Sequence, residues 1–287
     1  MLEPSATAVG GTHALPDHAP AQAGVRKPGP IALVGSGEYL PQMENIDRML
    51  LEHVGGRSAR VVVLATAAGL EAPASPQRWA RMGVEHFARL GAQAEPVGIL
   101  VRDDAFDPRW LPLLEAADFI YFSGGSPQHV IHTLENSPAW EVIRARHAAG
   151  AVLAGCSAGA MAFGAFTLQP RALWRRRPGD DDASRALTWY PALGLLGRVI
   201  VLPHFDRMAS RMGRETLALL AAAVPMGLTL IGVDEDTALV RVHDGPPSAG
   251  AFLWQVMGRQ GVSVFTVDGE INHAAGATLM LELDGRT

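Results

Sequence analysis

A serine hydroxyl, an imidazole and a carboxylate that meet in space can transfer an acyl group, and this sequence holds a candidate for each near the end of an apolar run. Residues 151–166 read Ala-Val-Leu-Ala-Gly-Cys-Ser-Ala-Gly-Ala-Met-Ala-Phe-Gly-Ala-Phe. An apolar run, a Gly-x-Ser-x-Gly turn and a small-residue helix in that order make a nucleophile elbow, which lifts a serine hydroxyl clear of a sheet on a tight strand-to-helix turn. Ser157 is the candidate nucleophile, and the next N–H, on Ala158, points at the same spot. Gly155 and Gly159 stand two residues to either side, where strand and helix pass too closely for a side chain. A chain with 31 glycines produces such a pentapeptide by chance often enough that context has to carry the reading. The context is a strand over 151–154 and a helix from Ala158 broken only by Gly159 and Gly164.

A serine needs a base. Among ten histidines, His204 is distinctive because it follows the apolar run Val199-Ile200-Val201-Leu202 and the strand-ending Pro203. Beyond it, Arg207, Arg211 and Arg214 share one face of a helix at i, i+4 and i+7, a spacing that could hold a substrate carboxylate or form a solvated stripe. The orienting acid is expected where an apolar run ends in Asp234-Glu235-Asp236; Glu235 is preferred and Asp234 is the runner-up. The chain order Ser, His, acid differs from the Ser, acid, His order of α/β-hydrolases. Two glycine turns precede the elbow. Gly35-Ser36-Gly37-Glu38 is no dinucleotide loop, since Leu40 occupies the third glycine position, and reads as a tight turn at the carboxyl edge of a sheet. Gly124-Gly125 opens a helix, and the Gly125 N–H is the candidate second oxyanion donor, with a plain strand-to-helix turn as the alternative.

Something must hold these groups together. Short apolar runs at 31–34, 61–65, 94–98, 119–122 and 151–154 alternate with helices expected at 42–54, 76–90, 108–116, 128–134 and 139–148, the pattern of an α/β fold with a mostly parallel sheet. Residues 1–29, rich in Ala, Pro and Gly, read as a flexible tail before a single domain over 30–287, and interruptions from Glu3 to Pro20 argue against a signal peptide. Regularity is expected to lapse over 169–192, where Arg175-Arg176-Arg177 meets Asp180-Asp181-Asp182 in a solvated loop or a lid. Strands at 252–257, 262–267 and 278–283 either extend the sheet or build a homodimer contact. A net charge of −5 gives no reason to invoke nucleic acid or an anionic membrane, so a small substrate is expected. The single cysteine, Cys156, excludes an internal disulfide framework and a cysteine zinc cluster, and points to a reducing, cytoplasmic setting.

Gly-Gly-Ser-Pro at 124–127, Gly-Cys-Ser-Ala-Gly-Ala at 155–160, Pro-His-Phe at 203–205 and Gly-Val-Asp-Glu-Asp-Thr-Ala at 232–238 resemble the serine peptidases that include cyanophycinase and dipeptidase E. The resemblance spans roughly residues 30–270 and implies a three-layer α/β sandwich like that of class I glutamine amidotransferases, with antiparallel strands at the C-terminal end. It maps the family's serine and histidine onto Ser157 and His204. For the third member, the cyanophycinase-like pattern points to Glu235, whereas dipeptidase E would place an acid in the loop after the nucleophile helix. Cyanophycinases carry an Asp-Gln pair before the histidine, and Leu202 and Pro203 stand there instead. Amidotransferases use cysteine at the elbow; Cys156 occupies the second position of this motif and reads as a small buried packing residue. The implied function is a serine hydrolase that cleaves a peptide or isopeptide bond in a small, acidic or carboxylate-bearing substrate through an acyl-serine, with no metal or organic cofactor. The alternatives are an amide or acyl-transfer enzyme of a biosynthetic pathway that uses the same serine, and a non-catalytic binding protein that kept the fold.

Overall fold

The computed structural model describes residues 27–168, 188–244, 251–266 and 269–284, so most of the expected tail lies outside it. The alternation expected from the apolar runs is present: β1 (Ile31–Val34), α1 (Glu44–His53), β2 (Arg60–Leu64), α2 (Ala74–Arg89), β3 (Gln93–Val97), α3 (Leu111–Ala116), β4 (Phe119–Phe122), α4 (Pro127–Leu134), α5 (Pro138–Ala148) and β5 (Val152–Cys156) follow in turn. β1, β4 and β5 are buried along their whole length, as parallel strands covered on both faces must be. Alternate residues go to opposite sides: Ile31 and Leu33 pack with Leu114 of α3 and Ile143 of α5, while Ala32 and Val34 pack with Leu50 of α1 and Phe87 of α2. The layers are therefore helices, sheet and helices.

The chain continues through α6 (Ala158–Phe163), β6 (Phe166–Leu168), β7 (Trp189–Pro191), β8 (Val199–Pro203), α7 (Phe205–Ala222), β9 (Thr229–Val233), β10 (Thr237–Asp244), β11 (Phe252–Gly258), β12 (Gly261–Thr266), β13 (Gly269–Ala274) and β14 (Thr278–Leu281). The main sheet is ordered β14-β11-β10-β1-β5-β4-β2-β3. The strands from β1 to β3 in this order are parallel, and β10, β11 and β14 are antiparallel. β3 lies at the edge, where a sheet tolerates its Pro96.

A second sheet, β13-β12-β9-β8, pairs β8 with β9 in parallel. The C-terminal strands thus divide: β11 and β14 extend the main sheet, whereas β12 and β13 join the second. Gly258, at φ 113, makes the turn between them, and a Cβ there would stand 2.8 Å from the Thr237 Cα. β7, inside the stretch expected to be irregular, pairs with β6 in a separate ribbon. The charged loop Arg175 to Asp182 lies outside the described residues. Among the described residues no helix is long and apolar enough to cross a membrane.

One buried group is expected to make the fold acid-sensitive. His147 on α5 donates from Nδ1 to the Ala151 carbonyl at 3.1 Å, and its Nε2 accepts from Arg241 at 3.0 Å. Arg241 in turn reaches Asp284 at 3.0 Å and the Gly29 carbonyl at 3.1 Å, which ties α5 to β10 and both ends of the domain. Burial, then the Arg241 charge, push the His147 pKa down to about 4. The unfolded chain takes up a proton near pH 6.5 that the folded one refuses, so stability is full above that pH and falls as pH drops toward 4. A fall in pKa from 6.5 to about 4 corresponds to a loss of about 3 kcal/mol. Urea unfolding from pH 7 to pH 4 is expected to show this slope, and His147→Gln is expected to flatten it; an equal slope in both proteins would refute the assignment.

Candidate active site

β5 ends at Cys156, and Ser157 then adopts φ 49 and ψ −108 before α6 begins at Ala158. A non-glycine residue holds such a conformation only when its surroundings impose it, at a cost of about 1–3 kcal/mol. The surroundings are the two motif glycines. A Cβ on Gly155 would stand 2.6 Å from the Gly159 carbonyl carbon, and one on Gly159 would stand 2.8 Å from the Phe122 Cβ. Strand and helix therefore cross at the contact distance the motif implied.

His204 repeats the device on the second sheet. β8 ends at Pro203, His204 sits at φ 50 and ψ 38, and α7 starts at Phe205. The two strand-to-helix corners face each other: Ser157 Oγ lies 3.2 Å from His204 Nε2. On the far side of the ring, His204 Nδ1 lies 2.7 Å from Glu235 Oε1. A carboxylate only accepts, so Nδ1 carries the proton and the Nε2 lone pair faces the serine. Glu235 is 15 % exposed and occupies the crossover from β9 in the second sheet to β10 in the main one.

Several residues hold that crossover. The Glu235 N–H donates to Asp206 Oδ1 at 3.1 Å, and its carbonyl accepts from Gln260 Nε2 at 3.0 Å and from Thr237 Oγ1 at 3.0 Å. Arg207 places its guanidinium 2.7 Å from Glu235 Oε2, so the acid is gripped on both oxygens. Asp234, the other candidate acid, accepts from the Gly261 N–H at 3.0 Å, and burial pushes its pKa up. The dipeptidase E-like alternative, an acid in the loop after α6, lies outside the described residues.

The oxyanion candidates are defined by which N–H groups are committed elsewhere. After β4, the Ser123 N–H donates to Leu64 at 3.0 Å, that of Gly124 to Glu38 Oε1 at 2.9 Å and that of Ser126 to Ala67 at 2.7 Å. The Gly125 N–H has no acceptor among the described residues, and neither does that of Ala158. Gly125 has φ 145 and lies directly on Ala67, so a side chain there would collide with backbone.

Ser157, His204, Glu235 and Gly125 open on a cleft of about 320 Å³. Met161, Leu168, Leu202 and Met208 give it an apolar wall, and Arg207 and Arg211 a cationic rim. Arg207 thus faces both Glu235 and the cleft. Gly213 at φ 73 and ψ 163 interrupts α7 between Arg211 and Arg214, and the Arg214 side chain is outside the described set. Among the described residues no cluster of three His, Cys, Asp or Glu could hold a metal. Cys156 points to the opposite side of the sheet, where burial, then Glu38, push its thiol pKa well up.

Sequence reasoning missed Glu38, Asp206 and Gln260. Glu38 and Asp206 carried a signal, an acid inside a glycine turn at the sheet's carboxyl edge and an acid two residues past the base. Gln260 carried none, since the C-terminal strands suggested no chemistry and its role depends on two sheets meeting.

The family model of peptidase family S51 matches residues 31–246. The cyanophycinases of Trichormus variabilis and of a Nostoc species are each 28% identical over 237 residues, which cover 82% of this chain and 72% of theirs. The crystal structure of a peptidase from an acI-B1 Actinobacterium is 30% identical, with a TM-score of 0.75 over 90% of this chain and 98% of that one. A putative peptidase E from Listeria monocytogenes shares the fold at a TM-score of 0.50 and 18% identity, over 87% of this chain and 100% of its own.

Proposed function

Because this chain belongs to peptidase family S51 and is a serine peptidase, we propose that it hydrolyses a peptide or isopeptide bond in a small, carboxylate-bearing substrate through an acyl-Ser157 intermediate. The observation that carries this reading is the unbroken hydrogen-bonded line from Ser157 Oγ through His204 to Glu235, at 3.2 and 2.7 Å, opening on a cleft with a cationic rim. Ser157 Oγ attacks the carbonyl carbon while His204 Nε2 takes the hydroxyl proton, and the N–H groups of Gly125 and Ala158 hold the developing oxyanion. The imidazolium is stabilised by Glu235 and gives its proton to the leaving amine as the C–N bond breaks. His204 then deprotonates a water that attacks the ester, which releases the acid and restores Ser157.

Substrate choice follows from the lining. Leu202 and Pro203 put apolar surface where cyanophycinases carry an Asp-Gln pair, so an aliphatic stem fits there better than a polar backbone. Arg211, one turn beyond Arg207, is the carboxylate reader, and Arg207 is shared between substrate and Glu235. A panel of acidic dipeptides, β-linked aspartyl peptides and their amidated forms tests this assignment. Arg211→Ala is expected to raise KM for the carboxylate forms about tenfold or more, with kcat little changed, and to leave the amidated forms unaffected. Equal KM values for wild type and variant on the carboxylate forms would remove Arg211 from substrate recognition.

A further inference from the structure

Glu38 has no task in that sequence of steps, yet it touches both halves of the machinery. It follows β1 between Gly37 at φ 85 and Tyr39 at φ 66, and this turn folds its carboxylate back over the sheet, leaving it 8% exposed. The Tyr39 ring packs against Phe87 and Tyr121 and anchors the turn. Oε1 accepts from the Gly124 N–H at 2.9 Å, and Oε2 accepts from Cys156 Sγ at 2.8 Å. The two donors precede the proposed oxyanion donor Gly125 and the proposed nucleophile Ser157, respectively, by one residue each.

We propose that Glu38 is a positioning residue of this site, a clasp that fixes the oxyanion loop against the nucleophile elbow; this rests on Ser157 being the nucleophile. The Gly124 N–H has one direction once Glu38 holds it, and with Ser126 tied to Ala67 the peptide between them is constrained at both ends. The Gly125 N–H then has little freedom to turn away from the cleft. The fit is tight, since a Cβ on Gly124 would lie 3.1 Å from Glu38 Oε1 and 3.4 Å from the Ser157 Cβ. The carboxylate, the loop and the nucleophile are therefore stacked with no room for slack. What the clasp requires is reach, because its two donors lie on different segments, Gly124 in the loop after β4 and Cys156 at the end of β5.

A fluorophosphonate reads this without knowledge of the natural substrate. Ser157 Oγ bonds to phosphorus, the P–F bond breaks, fluoride leaves, the hydroxyl proton passes to His204, and the phosphoryl oxygen occupies the oxyanion site. Glu38→Asp keeps both acceptor oxygens and loses the reach; Glu38→Gln keeps the reach, with its amide oxygen on the Gly124 N–H and its NH2 donating to the Cys156 sulfur in place of the thiol's donation. In the full chain, Glu38→Asp is expected to lower the inactivation rate constant roughly 10- to 100-fold with the probe's affinity unchanged, part of the loss seen when an oxyanion donor is removed outright. Glu38→Gln is expected to stay within about threefold of wild type, and Cys156→Ala, which frees one end of the clasp, to fall about three- to tenfold. The Cys156→Ala arm stands even where Glu38→Asp does not fold. Wild-type rates in Glu38→Asp or Cys156→Ala, or a Glu38→Gln rate as low as that of Glu38→Asp, would overturn the clasp. Labelled wild type with unaffected variants removes this proposal alone, whereas wild type that resists labelling at Ser157 removes the nucleophile with it.

Discussion

Ser157→Ala is expected to lower kcat for any cleaved peptide by about 10⁴- to 10⁶-fold, the range seen when a serine nucleophile is deleted and only an oxyanion site remains. No neighbour can take over. Cys156, one residue away, is on the other side of the sheet with its thiol pKa pushed well up by burial, so it offers no thiolate at neutral pH. His204→Ala is expected to cost about as much, and the double variant about the same as either, because nucleophile and base act as a unit. Single-turnover assays with fold verified by thermal melting make the comparison. A Ser157→Ala protein within tenfold of wild type would end the acyl-serine reading, and a double variant far worse than either single one would mean that the 3.2 Å contact between the two side chains is not used.

The second large effect separates two adjacent acids. Glu235→Gln is expected to lower kcat about 10³- to 10⁴-fold with KM little changed, because an amide next to Nδ1 favours the tautomer that turns an N–H toward the serine. Arg207, which now holds Oε2 at 2.7 Å, keeps the amide oxygen on its own side and so turns the NH2 toward Nδ1. Asp234→Asn is expected to change kcat only a few fold, since Asp234 spends its carboxylate on the Gly261 N–H. The reverse ranking would move the orienting role to Asp234. Near-equal, mild effects in both would point to an acid in the loop after α6.

Each strand-to-helix corner could be read because its determinants are local. Gly155 and Gly159 bracket Ser157 for the close crossing of β5 and α6, and Pro203 ends β8 just before His204. The all-apolar runs of β1, β4 and β5 announced a sheet covered on both faces for the same reason. The arginine series depends on more than its spacing. Periodicity placed Arg207, Arg211 and Arg214 on one face, but Gly213 ends the first segment of α7, and the nearest anion to Arg207 is Glu235. Helical spacing says which residues share a side and nothing about what faces that side.

Residue types and their order along the chain determined that a serine would stand on an elbow, that a histidine would follow a strand, and that the fold would be layered α/β. These depend on steric and hydrophobic rules that act over a few neighbouring residues. The division of the strands into two sheets, the contact of His204 with Glu235 while Asp234 turns to the Gly261 N–H, and the convergence of Glu38, Asp206 and Gln260 on the site were decided by tertiary structure. The contacts concerned join residues 25 to 118 positions apart. Their geometry exists only once β1, β4 and β5 pack together for Glu38, and β9, β10 and the turn after β11 for the others, and no local pattern encodes it.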